Sequence, residues 1–163
     1  MMPSTECLSD EEKISYYLSH VKKPVLLFIG FPFSEIKKFE SHAKVIYLIG
    51  DLKEKKSCKK ISAFSSMDDF INNFTSLDAK ITHIFAYYIG WDQIKNQLPP
   101  KFTLNNSKLY LFIKVPFEKW KSFIDKDRYL IENTLSDYNL KFDDIISSNK
   151  ENYFYGVFAK VKG

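Results

Sequence analysis

Residues 24–36 read PVLLFIGFPFSEI. The run Val25 to Ile29 is short and apolar throughout, the pattern of a strand buried on both faces. Gly30 permits a tight turn, Phe31-Pro32-Phe33 carries the chain round it, and Ser34 reads as the N-cap of a following helix. A buried strand that turns at a glycine into a helix is the repeating unit of an α/β sheet. The neighbouring segments repeat it.

On the amino side, Ser9-Asp10-Glu11-Glu12 is a capping box. Ile14, Tyr17, Leu18 and Val21 then recur at helical spacing, which predicts an amphipathic helix to about His20, ended by Lys22-Lys23-Pro24. On the carboxyl side, Ile36 and Phe39 share one face of a short helix from Ser34 to about Ser41. Lys44 to Ile49 is a second buried strand that stops at Gly50-Asp51. A lysine-rich loop leads to a brief strand, Ile61 to Phe64. Ser66 caps a helix with Asp68 and Asp69 in its first turn, where the helix dipole favours acids, and Met67, Phe70, Ile71 and Phe74 on its apolar face. Ile81 to Ile89 is the fourth strand. Trp91, Ile94 and Leu98 line a short helix that Pro99-Pro100 terminates. Leu109 to Val115 is the fifth strand, and Trp120, Phe123, Ile124, Ile131, Leu135 and Tyr138 form the apolar face of a long helix. Leu140 to Ser147 and Tyr153 to Val161, joined by the short polar segment Ser148 to Asn152, read as a closing hairpin.

Five strand–helix steps followed by a hairpin predict an α/β, three-layer Rossmann-like fold. Its seven-stranded sheet is mostly parallel, with a C-terminal antiparallel hairpin and helices on both faces. At 163 residues the chain reads as a single domain, an N-terminal helix over 1–22 and an α/β core over 23–163. A composition that is 45% hydrophobic and 17% aromatic implies a packed interior. No apolar run approaches the ~20 residues of a membrane helix. The opening MMPSTECLSDEEK is too acidic and polar for a secretory signal, so the expected location is cytoplasmic. Cys7 and Cys58 then read as ordinary thiols. His20, His42 and His83 are scattered without ligand spacing, which argues against a metal site.

The net charge is +4 and almost every cation is lysine; Arg128 is the only arginine. Lysine permits loose phosphate contact but does not favour base reading, which suits arginine's planar fork. Lys53, Lys55, Lys56, Lys59 and Lys60 form the densest cluster, either a solvated loop or a patch for an RNA backbone.

The order of elements resembles the S-adenosylmethionine-dependent methyltransferase superfamily, whose sheet ends in such a hairpin. Two stretches are most similar to the ribose 2′-O-methyltransferases, fibrillarin included: IFAYYIGWDQI, Ile84 to Ile94, and LYLFIKV, Leu109 to Val115, taken with the terminal YFYGVFAKVKG. The resemblance implies S-adenosylmethionine as cofactor, held by the turn at Gly30 and the helix start at Ser34. It implies Asp51 at the ribose, Asp68 or Asp69 near the adenine, and the aromatics Tyr87, Tyr88 and Trp91 for stacking, although such a cluster more often caps a core. It implies Lys114, in an otherwise apolar strand, as the group that orients or helps deprotonate an acceptor hydroxyl, with Asp92, five residues beyond Tyr87, as the acid available to it. The chain departs from the pattern at Phe31, Pro32 and Phe33, where glycine or small residues are usual, and at Tyr87, where an aspartate is usual. A neutral tyrosine cannot hold a lysine's charge as a carboxylate does. Three functions follow: a degenerate methyltransferase-fold binding module for RNA or a protein partner, an active methyltransferase on RNA or a small acceptor, or a nucleotide-binding sensor without turnover.

Overall fold

The computed structural model describes residues 10–50, 60–74, 79–147 and 154–162. Helix α1 (Asp10–Leu18) leads into β1 (Val25–Ile29), α2 (Phe33–Lys37), β2 (Val45–Ile49), β3 (Ile61–Phe64), α3 (Met67–Asn73), β4 (His83–Tyr87), α4 (Trp91–Gln97) and β5 (Tyr110–Pro116). A helix in three pieces follows: α5 (Trp120–Ser122), a π-helical turn (Phe123–Asp127) and α6 (Arg128–Asp137). The chain closes with β6 (Leu140–Ser147) and β7 (Phe154–Val161). The strands form one seven-stranded sheet in the order β3-β2-β1-β4-β5-β7-β6. Neighbours among β1 to β5 are parallel, and β7 runs antiparallel to both β5 and β6. This is the fold class expected from the sequence.

Alternation along each strand splits the core in two. Val25, Leu27 and Ile29 face one layer with Ile84, Ile113, Phe123 and Ile131, under α3, α4 and α6. Leu26 and Phe28 face the other with Phe85, Phe112 and Phe158, under α1 and α2. All five β1 side chains are therefore buried, which is why the run shows no polar alternation. Phe28 stacks on Phe85 with centroids 4.4 Å apart.

Several boundaries moved for identifiable reasons. Helix α2 does not begin with Ser34 as its cap. Pro32 occupies the N-cap in extended conformation (φ −69°, ψ 147°), and its carbonyl accepts from Glu35 N at 3.1 Å and Ile36 N at 3.4 Å. Ser34 thus lies inside the first turn, because proline's fixed φ starts the helix earlier. The helix also stops at Lys37, and Phe39 turns inward to meet Phe28 and Phe85, each at 5.6 Å. Ser66 caps α3 as expected, accepting from Asp69 N at 3.1 Å; Ser9 and its capping box lie outside the described residues. The π turn was not anticipated. Phe123, Ile131 and Leu135 are all buried, yet Phe123 and Leu135 are twelve residues apart, which a regular α-helix would turn about 120° away from one another. The wider turn absorbs one residue and so offsets that rotation. Asn139 follows α6 with φ 58°, a left-handed residue closing the helix, and its carbonyl accepts from Lys162 N at 3.0 Å.

Helix α1 is fastened at two places. His83, buried on β4, has Nε2 3.2 Å from the Tyr17 carbonyl, where N–H donates to the helix end, and Nδ1 2.8 Å from the Thr82 hydroxyl. Its ring stacks on Tyr110 at 4.9 Å. At the far side, an irregularity in the β6–β7 pairing between Phe142 and Asp144 turns two consecutive carboxylates toward α1. The Tyr17 hydroxyl donates to Asp143, and Lys13 pairs with Asp144 at 3.3 Å.

Candidate functional site

Parallel strands present their carboxyl ends along one edge, and the loops there can build a site. At this edge β1 ends in Gly30, and β4 and β5 place Tyr87 opposite Lys114 in register. Paired residues on adjacent strands point the same way, so Tyr87 and Lys114 share the face of Phe85 and Phe112, under α1 and α2. Helix α2 then swings Glu35 across, and Lys114 Nζ donates to Glu35 Oε1 at 3.1 Å. The lysine side chain is 17% exposed and the glutamate 35%. The carboxylate beside Lys114 thus comes from the helix after β1, reaching past the end of β4.

Tyr87, beside Lys114 in the sheet, feels the nearby carboxylates. Burial, then the carboxylates of Glu118 and Glu35, push its phenol above the ordinary tyrosine value, so it is neutral at pH 7. Gly30 adopts φ 78°, and a Cβ there would meet Tyr87 Cβ at 3.6 Å, an ordinary contact. The backbone angle, not space, asks for glycine. Phe31 is turned into the core, edge-on to Phe28 at 5.5 Å and to Tyr87 at 6.1 Å. Ile89 and Phe117, at the ends of β4 and β5, are 58% and 57% exposed and give this edge an apolar rim.

The structure therefore gathers Gly30, Tyr87 and Lys114, and adds Glu35. Asp92 is exposed in the first turn of α4, a helix whose Trp91 and Ile94 pack into the core layer on the face of the sheet opposite to that of Lys114. Ser34 is exposed on α2, and Asp68 is exposed in the first turn of α3. Asp51, with Lys53, Lys55, Lys56 and Lys59, lies outside the described residues; Gly50 before it ends β2, its N–H donating to Phe64 O at 3.1 Å. Of the expected aromatic cluster only Tyr87 remains at the crevice. Tyr88 and Trp91 are buried in the core, since alternation sends Tyr88 to the face opposite Tyr87. The Tyr88 hydroxyl donates to Asp127 in the π turn, and burial with that carboxylate pushes its phenol far up. Glu35 was not foreseen. Two signals pointed to it: a lysine inside an apolar strand needs a partner, and the first turn of α2 carries an acid.

A nucleoside cofactor needs backbone approach at this turn. Pro32 offers no N–H, Phe31 fills the space beneath, and Glu35 is engaged by Lys114. These residues fit a filled turn and not a backbone cradle.

No protein-family model matches the sequence, and no match was found among curated proteins. Solved structures do match. An rRNA methylase from Streptococcus thermophilus is 11% identical over 96% of this chain and 99% of its own, with a TM-score of 0.64. The Methanococcus jannaschii fibrillarin, a pre-rRNA processing protein, is 15% identical over 87% of this chain and 68% of its own, with a TM-score of 0.61. The Aeropyrum pernix fibrillarin, determined with natively bound S-adenosyl-L-methionine, is 12% identical over 90% of this chain and 74% of its own, with a TM-score of 0.60. At such identities the likeness is one of fold, and the fold of this chain is that of the S-adenosylmethionine-dependent methyltransferases.

Proposed function

We propose that the protein is a methyltransferase-fold binding module that takes up S-adenosylmethionine weakly or not at all. The Lys114–Glu35 ion pair carries this reading. It spans the crevice from β5 to α2 above a turn occupied by Phe31 and Pro32, so ligand entry must break a partly desolvated pair and find amides that proline does not supply. RNA is the partner, contacted through lysines including Lys53, Lys55, Lys56, Lys59 and Lys60. The +4 charge supports it, as do the rRNA methylase and the pre-rRNA processing protein among the structural neighbours. Calorimetric titration with S-adenosylmethionine and with S-adenosylhomocysteine tests the crevice. The expected result is no heat up to millimolar ligand; micromolar affinity overturns the reading.

One observation favours the alternative, an active methyltransferase on RNA or a small acceptor. Lys114 does have a carboxylate beside it, Glu35, and such a pair can orient an acceptor hydroxyl and take up its proton. Cofactor binding together with methyl transfer that Lys114→Ala and Glu35→Gln both abolish would establish it.

A further inference from the structure

The edge of the sheet opposite the crevice carries a lysine at every strand. Lys23, Lys44 and Lys60 immediately precede or nearly precede β1, β2 and β3, and Lys80 and Lys108 stand shortly before β4 and β5. In the closing pair β6 runs with the parallel strands and β7 against them, and both obey the pattern: Lys141 is the second residue of β6, opposite Lys160, and Lys162 follows the end of β7. All except Lys80 and Lys160 are exposed. Among the described residues, the acids at or near this edge include Glu40, Asp137 and Asp143, the last of which pairs with Lys160 at 3.2 Å. The crevice edge differs, with Glu35, Asp68 and Asp92 following β1, β3 and β4.

Strands about 4.8 Å apart space seven such positions over roughly 29 Å. That is a line of point charges, the complement of a chain of singly charged phosphates. An anionic membrane would match a flat basic face better than one line. Lysine gives charge without a planar fork, so the contact reads backbone and not bases.

We propose that this amino-terminal sheet edge is a sequence-independent binding surface for the phosphate backbone of single-stranded RNA. The inference rests on the RNA partner proposed above, but it assigns the contact to the amino-terminal edge of the sheet and to described lysines besides Lys60. Whether the crevice binds a cofactor does not affect it.

The test is fluorescence anisotropy with a labelled oligouridylate of about 12 nucleotides, across a salt series, for three proteins of equal melting temperature. They are the unaltered chain, the edge variant Lys44→Gln/Lys108→Gln/Lys141→Gln, and the loop variant Lys119→Gln/Lys121→Gln/Lys126→Gln on the crevice side. Each lost phosphate contact reduces the salt slope by about 0.7, so the edge variant should lose about 2 from the slope and bind about a hundredfold more weakly near 0.1 M salt. The loop variant should stay within about twofold, the size of a long-range screened effect. Binding that the edge variant retains, or that the loop variant loses equally, overturns the edge while leaving an RNA partner standing. No binding by the unaltered chain at low salt, or tighter binding to phosphatidylserine vesicles than to the oligonucleotide, defeats the RNA partner itself.

Discussion

His83 makes the stability of this protein depend on pH in a way that can be worked out from its surroundings. The imidazole lies beneath α1, and burial, helped by the positive charge of His20, lowers its pKa from 6.5 to about 3. The groups against it are the Tyr17 carbonyl, the Thr82 hydroxyl and the Tyr110 ring, all neutral, so none supplies the opposite charge that would offset the cost of burying an imidazolium. A depressed histidine pKa means that the unfolded chain binds the proton first. Its contribution is therefore complete above pH 6.5 and falls as pH drops from 6.5 toward 3. Two pH units below the unfolded pKa cost about 2.7 kcal/mol at pH 4.5, at about 1.36 kcal/mol per unit. With a urea m-value of about 2 kcal/mol/M, the midpoint should move down by about 1.4 M between pH 7.5 and pH 4.5 from this residue alone. Carboxylates titrate over the same range, so the variant His83→Gln is the reference. It should be about 1–2 kcal/mol less stable at pH 7.5, having lost the ring stack and a hydrogen bond. It should equal or exceed the natural chain at pH 4.5. His20 and His42 are exposed and present in both proteins. Two urea series of parallel pH dependence would refute the reasoning, because a histidine already protonated in the fold, or one open to water, gives no difference.

Three further outcomes follow from the geometry. Gly30→Ala should cost about 1–2 kcal/mol, a fall of about 3–6 °C in melting temperature, from the positive φ alone; a loss above about 4 kcal/mol would mean a clash that the 3.6 Å contact with Tyr87 does not contain. Glu35→Gln should cost about 1–2 kcal/mol, by taking the carboxylate from a lysine only 17% exposed, whereas Lys114→Met should be within about 0.5 kcal/mol of neutral; equal losses from the two in chemical denaturation would contradict this asymmetry. At Asn139, with φ 58°, replacement by valine should cost about 1–2 kcal/mol and replacement by glycine almost nothing, and calorimetric melting that ranked them the other way would reject the left-handed assignment.

The order of elements was legible because parallel strands covered on both faces must be apolar at every position, and VLLFI, VIYLI and LYLFI are. The hairpin was legible from a short polar joint between two apolar runs. Helix ends were read less well where proline chemistry and tertiary packing competed. Ser34 has the right side chain for a cap, but Pro32 starts the helix two residues earlier. The π turn was hidden in a spacing, twelve residues from Phe123 to Leu135, that is easily absorbed into a loosely drawn apolar face. The site was legible in part. Tyr87 and Lys114 could be placed on neighbouring strand ends, and the structure puts them in register. Glu35 could not be paired with Lys114 from the sequence, since 79 positions separate them and the pairing depends on how far one turn of α2 leans over the sheet. That α4, which carries Asp92, covers the face opposite to that of Lys114 likewise depends on tertiary packing.

The two fastenings of α1 have a consequence for how the molecule opens. One lies on β4, inside the parallel sheet, and the other on β6, the outermost strand of the antiparallel pair. An edge hairpin would ordinarily fray first, with amide protons exchanging through small local openings. Here β6 cannot lift away without releasing Tyr17 and Lys13, and that in turn uncovers His83. Amides of α1, β6 and the middle of the sheet should therefore exchange with a shared opening free energy, so that the first helix and the last hairpin, far apart along the chain, behave as one cooperative unit.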